Sequence, residues 1–228
     1  MIDLAPLARF YGPLAHPPGD AFGVYLWEVL GLQTTAGRRD AALGALRRIP
    51  ALTPDSVRKL GRGRLEAIVR LAGPFVDERL SAIDTGVDVF RRRREFASRL
   101  AGPLKTAWLA ARDLPHLGEA GAAELLLYAS PHALVPVDQG LCRLAVRLGI
   151  AAPRANIRRL VRDVRRALDR ELPSELHERR QAVAYLMHHA QATCVESDPH
   201  CGICPLASGC AEGQRRLSSA RPGAGAGP

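Results

Sequence analysis

The chain has 228 residues, 47% hydrophobic and 24% charged, with a formal net charge of +9. That length lets it bury a core as one large domain or two small ones, so no metal is needed merely to fold. No apolar run approaches about eighteen residues, and Met1-Ile2-Asp3-Leu4 opens without a basic segment followed by an apolar one; neither a membrane span nor secretion is expected, which leaves the reducing cytoplasm.

Apolar residues recur at helical spacing over 20–33, where Phe22, Leu26, Val29 and Leu30 share a face. The same rhythm predicts helices near 38–48, 54–60, 62–72, 76–98, 104–112, 119–130, 138–149, 155–169 and 174–191. No stretch alternates like a strand. Pro50, Thr53-Pro54, Gly73-Pro74, Gly102-Pro103, Leu114-Pro115, Pro131, Pro153 and Pro173 punctuate the connections. The expected fold class is all-α, with roughly ten short helices. From Gly213 onward the composition cannot bury anything, which predicts a disordered tail over 213–228.

The basic residues are lopsided, thirty arginines against Lys59 and Lys105. Arginine's planar fork grips phosphate at two points, which suits a polyanion. A GC-rich genome that writes arginine for lysine explains the same excess. Two runs are dense, Arg91-Arg92-Arg93-Arg94 and the set Arg158, Arg159, Arg162, Arg165 and Arg166. At helical spacing Arg158, Arg162 and Arg165 share a face, as either a solvated surface or a phosphate-facing stripe.

Between two predicted helices lies Asp113-Leu114-Pro115-His116-Leu117-Gly118-Glu119-Ala120-Gly121-Ala122, a tight connection. Such a turn exposes unpaired amides at a helix start, and these suit a phosphate; any corner between helices needs similar residues. Further on, Val137-Asp138-Gln139 opens the next helix, with Asp138 placed to cap it. Near the C-terminus Cys194, Cys201, Cys204 and Cys210 form a C-x6-C-x2-C-x5-C array of seventeen residues. Four thiolates on one short loop point to an iron–sulfur cluster, with structural zinc as the rival, although zinc sites usually present two short pairs. The fifth cysteine, Cys142, reads as a small buried apolar residue.

In combination, Leu114-Pro115-x-Leu117-Gly118, then Val137-Asp138, then the cysteine array resemble the endonuclease III family of helix-hairpin-helix DNA glycosylases, over about residues 20 to 211. The resemblance implies a six-helix barrel domain at 22–134 and a [4Fe-4S] cluster domain of 1–21 with 135–212. It also implies double-stranded DNA containing a lesion as the partner of a monomer, bound within the nucleoid. His116, Leu117 and Gly118 would grip the backbone, and Asp138 would act at the flipped nucleotide. Gln33 would fill the hole left by the base, and Pro74 and Phe75 would form a second wedge.

Bifunctional members carry a lysine two residues after the hairpin's final glycine, and here that position is Ala120. An alanine cannot form a Schiff base, so the expected activity is monofunctional, with weak or no strand cleavage. His116 also replaces a hairpin glycine, which strains the turn or adds a cationic contact. Glu28 stands where adenine glycosylases acting opposite 8-oxoguanine carry a glutamate. Leu125-Leu126-Leu127-Tyr128-Ala129, followed by Val137-Asp138 and Arg147-Leu148-Gly149-Ile150, resembles instead the 3-methyladenine branch, in which Trp27, Tyr25 and Tyr128 would stack on an alkylated base; core packing explains the same aromatics. Oxidised pyrimidines are the third substrate class. A silent paralogue that binds damaged or abasic DNA without cutting is the alternative function, and a zinc-stabilised DNA-binding protein is another.

Overall fold

A computed structural model describes residues 2–92 and 95–219, and every regular element among them is a helix. The all-α expectation is borne out. In chain order the helices are α1 (Ala5–Tyr11), α2 (Ala21–Gly31), α3 (Ala36–Arg47), α4 (Pro54–Lys59), α5 (Arg62–Leu71), α6 (Val76–Arg92) and α7 (Phe96–Ala101). They continue with α8 (Leu104–Arg112), α9 (Gly118–Ala129), α10 (Gln139–Arg147), α11 (Ile157–Glu171), α12 (Leu176–Ala192) and α13 (Ala211–Ser219), with two short 3-10 turns at Cys201–Ile203 and Ala207–Gly209 between the last two. No helix among the described residues is long and apolar enough to cross a membrane.

Side-chain caps start many of these helices. Asp20, Thr35, Asp138, Asn156 and Glu175 each accept a first-turn amide, and Thr53 and Ser56 cap α4 reciprocally. Each satisfies an amide with no partner inside its helix. The predicted helix over 76–98 is two helices. Phe90 near the end of α6 meets Phe96 at the start of α7 edge to face, 4.8 Å between centroids; of the arginine run between them, Arg93 and Arg94 lie outside the described residues.

Two helices went unread. α1 buries a single residue, Leu7, too little to produce a visible period. α13 corrects the expected tail: Gly213 is buried, so close to Ala207 that an added Cβ would fall 3.0 Å from its Cα, and the helix runs to Ser219. Pairs from Glu212 to Arg215 and Arg216 support it. Residues 220–228, the rest of that tail, lie outside the described residues.

The chain divides into two compact units, Pro17–Pro136 in one and the segments up to His16 and from Val137 onward in the other. In the first, Tyr25, Leu26 and Leu30 of α2, Leu80 and Ile83 of α6 and Leu125 and Leu126 of α9 are fully buried. In the second, Leu7, Leu144, Val164, Val183 and Leu186 form the core. Tyr25 shows how tightly α2 meets α6. Its hydroxyl donates to Ala82 O at 2.5 Å, and a Cβ on Gly86 would fall 2.1 Å from Tyr25 Cε1. Gly86→Ala is therefore expected to cost about 3 kcal/mol, since overpacking outweighs the helix propensity gained. A urea midpoint equal to wild type would contradict this packing.

Candidate functional site

The hairpin joins α8 to α9 through Asp113–Leu117. Leu114 and Leu117 anchor it in the core, at 3% and 6% exposure, while His116 and Gly118 face solvent. His116 has φ +65° and Gly118 φ +60°. The left-handed conformation for which a glycine was expected is present, and a histidine adopts it. No side chain among the described residues caps α9, so its first-turn amides are open to an external acceptor. Arg112 pairs with Glu119 of that turn at 3.2 Å. Ala120 lies half-buried one turn in.

Four non-glycine residues among those described have positive φ: Gln33, Ala51, Phe75 and His116. Three of them are positions that the sequence reading places against DNA. Such backbone costs of the order of 1 kcal/mol or more and persists only where its surroundings hold it. For Gln33 and Phe75 the holder is visible. Arg79 of α6 is fully buried; its guanidinium donates to Leu32 O, just before Gln33, and to Gly73 O at 3.5 Å, just before Pro74 and Phe75. Arg79 N also donates to Phe75 O at 3.1 Å. One cation therefore ties together the two turns from which Gln33, Pro74 and Phe75 are exposed. Burial pulls its pKa down, with the Glu78 carboxylate acting in the opposite direction. Among the described residues, neither Arg79 Nε nor the buried Thr34 Oγ1 beside these turns has a hydrogen-bond partner.

Glu28 of α2 is half-buried and reaches the hairpin helix: a Cβ on Gly121 would lie 2.8 Å from Glu28 Oε2. The aromatics expected at a base pocket are all buried. Trp27 is buried, and the Arg39 guanidinium covers its ring at 3.4 Å. Tyr25 is core, with burial pushing its phenol pKa up. Tyr128 is 5% exposed.

In the other unit, Asp138 caps α10. One carboxylate oxygen accepts the Leu141 amide at 2.7 Å; the other accepts no hydrogen bond from any described residue. The side chain is half-exposed. Burial, with the Asp138 charge adding to it, pushes the Cys142 thiol up to about 11, so that cysteine is an inert neighbour.

The same helix holds the cysteine loop. Arg143 Nε donates to Cys194 O at 3.0 Å and its Nη2 to Ala190 O at 2.7 Å. One turn on, Arg147 donates to Val195 O at 2.7 Å and Glu196 O at 2.8 Å, and reaches Cys194 Sγ at 3.4 Å. Spaced four residues apart, the two arginines share a face of α10 and donate hydrogen bonds to a row of carbonyls. The four cysteines line one cavity with Leu144 and His189. The Gly213 amide points at Cys210 Sγ at 3.4 Å, and His189 Nε2 lies 3.5 Å from Cys204 Sγ. The other ring nitrogen of His189 meets Tyr11 Oη at 2.7 Å. Burial lowers the His189 pKa to about 4 and raises the Cys201 and Cys204 thiols. No three His, Cys, Asp or Glu side chains among the described residues converge as a single ion requires. Four soft donors around one cavity, with N–H groups of Arg147 and Gly213 aimed at two of the sulfurs and a ring nitrogen of His189 beside a third, nonetheless fit a thiolate-held cluster.

The bracing roles of Arg79, Arg143, Arg147, His189 and Tyr11 were not read from the sequence, although Arg147 belongs to the segment quoted for the 3-methyladenine branch. The i, i+4 spacing of Arg143 and Arg147 was the one signal available; nothing local announces a buried arginine on α6 or a tyrosine that meets a histidine 178 residues away.

No family model matches the chain, and no curated protein matches it. Among solved structures it is similar to a non-covalent endonuclease III–DNA complex, at 20% identity and a TM-score of 0.69, covering 94% of this chain and 95% of that one. A trapped endonuclease III–DNA covalent intermediate, an estranged-adenine complex, is similar at 20% identity and a TM-score of 0.67 with the same coverage. A thermostable thymine-DNA glycosylase is similar at 16% identity and a TM-score of 0.68, covering 93% of this chain and 95% of that one. The chain has the endonuclease III fold.

Proposed function

We propose that the chain is a DNA N-glycosylase of base excision repair that releases a base by hydrolysis and leaves the strand intact. The observation that carries this reading is the Asp138 carboxylate, fixed through one oxygen to the Leu141 amide and open at the other, in a chain of this fold that has Ala120 where a Schiff-base lysine would stand.

A base inside a duplex is out of reach, so the nucleotide must be turned out and the unstacking offset by contacts elsewhere. The open amides at the start of α9, with His116 beside them, suit the phosphate next to the lesion. Gln33 and Phe75, on the two turns that Arg79 braces, suit the space left in the stack. As the glycosidic bond breaks, positive charge grows on the sugar; the free oxygen of Asp138 can stabilise that charge or take a proton from the attacking water. Glu28, beside Gly121, is the second carboxyl group and would protonate a departing purine. Cys194, Cys201, Cys204 and Cys210 would hold a [4Fe-4S] cluster, whose contribution is to staple the loop that Arg143 and Arg147 dock on α10. The partner is double-stranded DNA carrying an alkylated purine, adenine opposite 8-oxoguanine or an oxidised pyrimidine. The Arg39 guanidinium lies over one face of the Trp27 ring, which favours Tyr128 over Trp27 as the platform for an alkylated base.

Chromatography of free base released from a panel of such duplexes tests the proposal. At least one duplex is expected to lose its base to wild type and to keep it with Asp138→Asn. Release from none of them would favour a silent paralogue that binds damaged or abasic DNA, the reading with which Ala120 is also consistent.

A further inference from the structure

Several exposed arginines on α4 to α6 are paired with carboxylates: Arg58 meets Asp88 at 2.5 Å, Arg70 meets Glu66 at 2.5 Å, Arg91 meets Asp55 at 2.5 Å and Arg92 meets Asp88 at 3.3 Å. On α11 the pattern differs. Arg158, Arg159, Arg162, Arg166 and Arg170 are all exposed, and none pairs with a carboxylate of the described residues. Two acids of the same helix are already engaged, Asp163 with Arg154 and Asp169 with Arg179, each at 3.0 Å.

At 100° per residue these five arginines occupy an arc of about 120°, and from Arg158 to Arg170 they span about 18 Å of helix axis. Val164, Ala167 and Leu168, on the opposite side, are buried, so the basic face can only point outward. We infer that this face of α11 binds the phosphate backbone of undamaged duplex DNA, as a surface additional to the hairpin, Asp138 and wedge turns. Five guanidinium groups over that length match roughly five phosphates of one strand at 3.4 Å each. Arginine rather than lysine favours two-point contact with phosphate oxygens. A bilayer is the poorer partner, because an amphipathic membrane helix keeps its apolar side for lipid and α11 has already spent that side on the core. Contact of this kind ignores sequence and keeps the protein on DNA between lesions, so the inference rests on the glycosylase reading.

The test is fluorescence anisotropy of an undamaged duplex of about 30 base pairs, titrated from about 50 to 200 mM salt, with wild type and with the triple variant Arg158→Gln, Arg162→Gln, Arg166→Gln. All three side chains are exposed, so circular dichroism should show an unchanged fold. Loss of three phosphate contacts should make the slope of log K against log salt shallower by about three, with affinity down on the order of tenfold at the upper salt. Base release from a short lesion duplex at low salt should be retained. A wild-type slope in the triple variant would overturn the inference and leave the glycosylase reading standing. Failure of wild type to bind any duplex would overturn both. Loss of binding to anionic phosphatidylserine vesicles, with duplex binding untouched, would assign the face to membranes and overturn it as well.

Discussion

Replacing Arg79 by methionine is expected to lower the melting temperature by roughly 10 °C. Methionine fills the space of the arginine stem but donates nothing, so the carbonyls of Leu32 and Gly73 lose their shared partner. Hydrogen bonds from a charged donor are worth about 1.5–3 kcal/mol each. Part of that is returned, because burying a guanidinium with no carboxylate against it is itself unfavourable, as its lowered pKa reflects. The balance is a loss of about 2–3 kcal/mol, and it is local. Gln33 and Phe75 hold left-handed backbone without glycine's freedom, and the tie to Arg79 restrains both turns together. Amide hydrogen exchange over residues 32–35 and 73–76 is expected to quicken more than elsewhere in Pro17–Pro136. Arg79→Lys keeps the charge but cannot fork to two carbonyls, and should fall between the two. Unchanged exchange in both turns would show that the strain is held by something other than this cation.

Asp138→Asn is expected to separate two roles that one side chain combines. Asparagine caps a helix as well as aspartate does, accepting the Leu141 amide through its carbonyl oxygen. Stability should therefore change by only a few tenths of a kcal/mol. Asparagine carries no charge and no basic oxygen, so the rate of base release should fall by about 100- to 1,000-fold, the size seen when a group stabilising transition-state charge is removed. Asp138→Ala should lose both, with about 1 kcal/mol of stability gone through the missing cap. Thermal melts and single-turnover release, measured on the same preparations, read the two quantities independently. A full rate with Asp138→Asn would reduce Asp138 to a helix cap.

Much of the fold was legible because short helices here begin with side-chain caps or are bounded by glycine and proline. Of those that lie close to their predicted spans, α2, α4 and α12 begin with a side-chain cap, while α5, α8 and α9 have none and lie between glycine or proline breaks. α1 and α13 were not legible, since one buries only Leu7 and the other gains its order from contacts with the cysteine loop. The candidate site divides in the same way. The cysteine array, the hairpin and Asp138 are each contiguous or regularly spaced, and so can be read along the chain. The braces are not: Arg79 acts on carbonyls 47 and 6 residues away, and the Tyr11–His189–Cys204 chain joins residues from opposite ends of the sequence. Trp27 shows a different limit. Sequence marks it as an aromatic available for stacking, but only the fold reveals that Arg39 already occupies one of its faces.

The central claim is that the base leaves to water and the strand stays whole. It is tested most directly by incubating wild type with an end-labelled duplex carrying the lesion that it excises, then dividing the sample before a denaturing gel, one half heated in alkali and the other not. Cleaved strand in the heated half alone is the predicted result. Comparable cleavage without alkali, accompanied by a covalent adduct trapped by borohydride, would contradict the account, because an amine such as Lys59 or Lys105 would then supply the chemistry that Ala120 cannot.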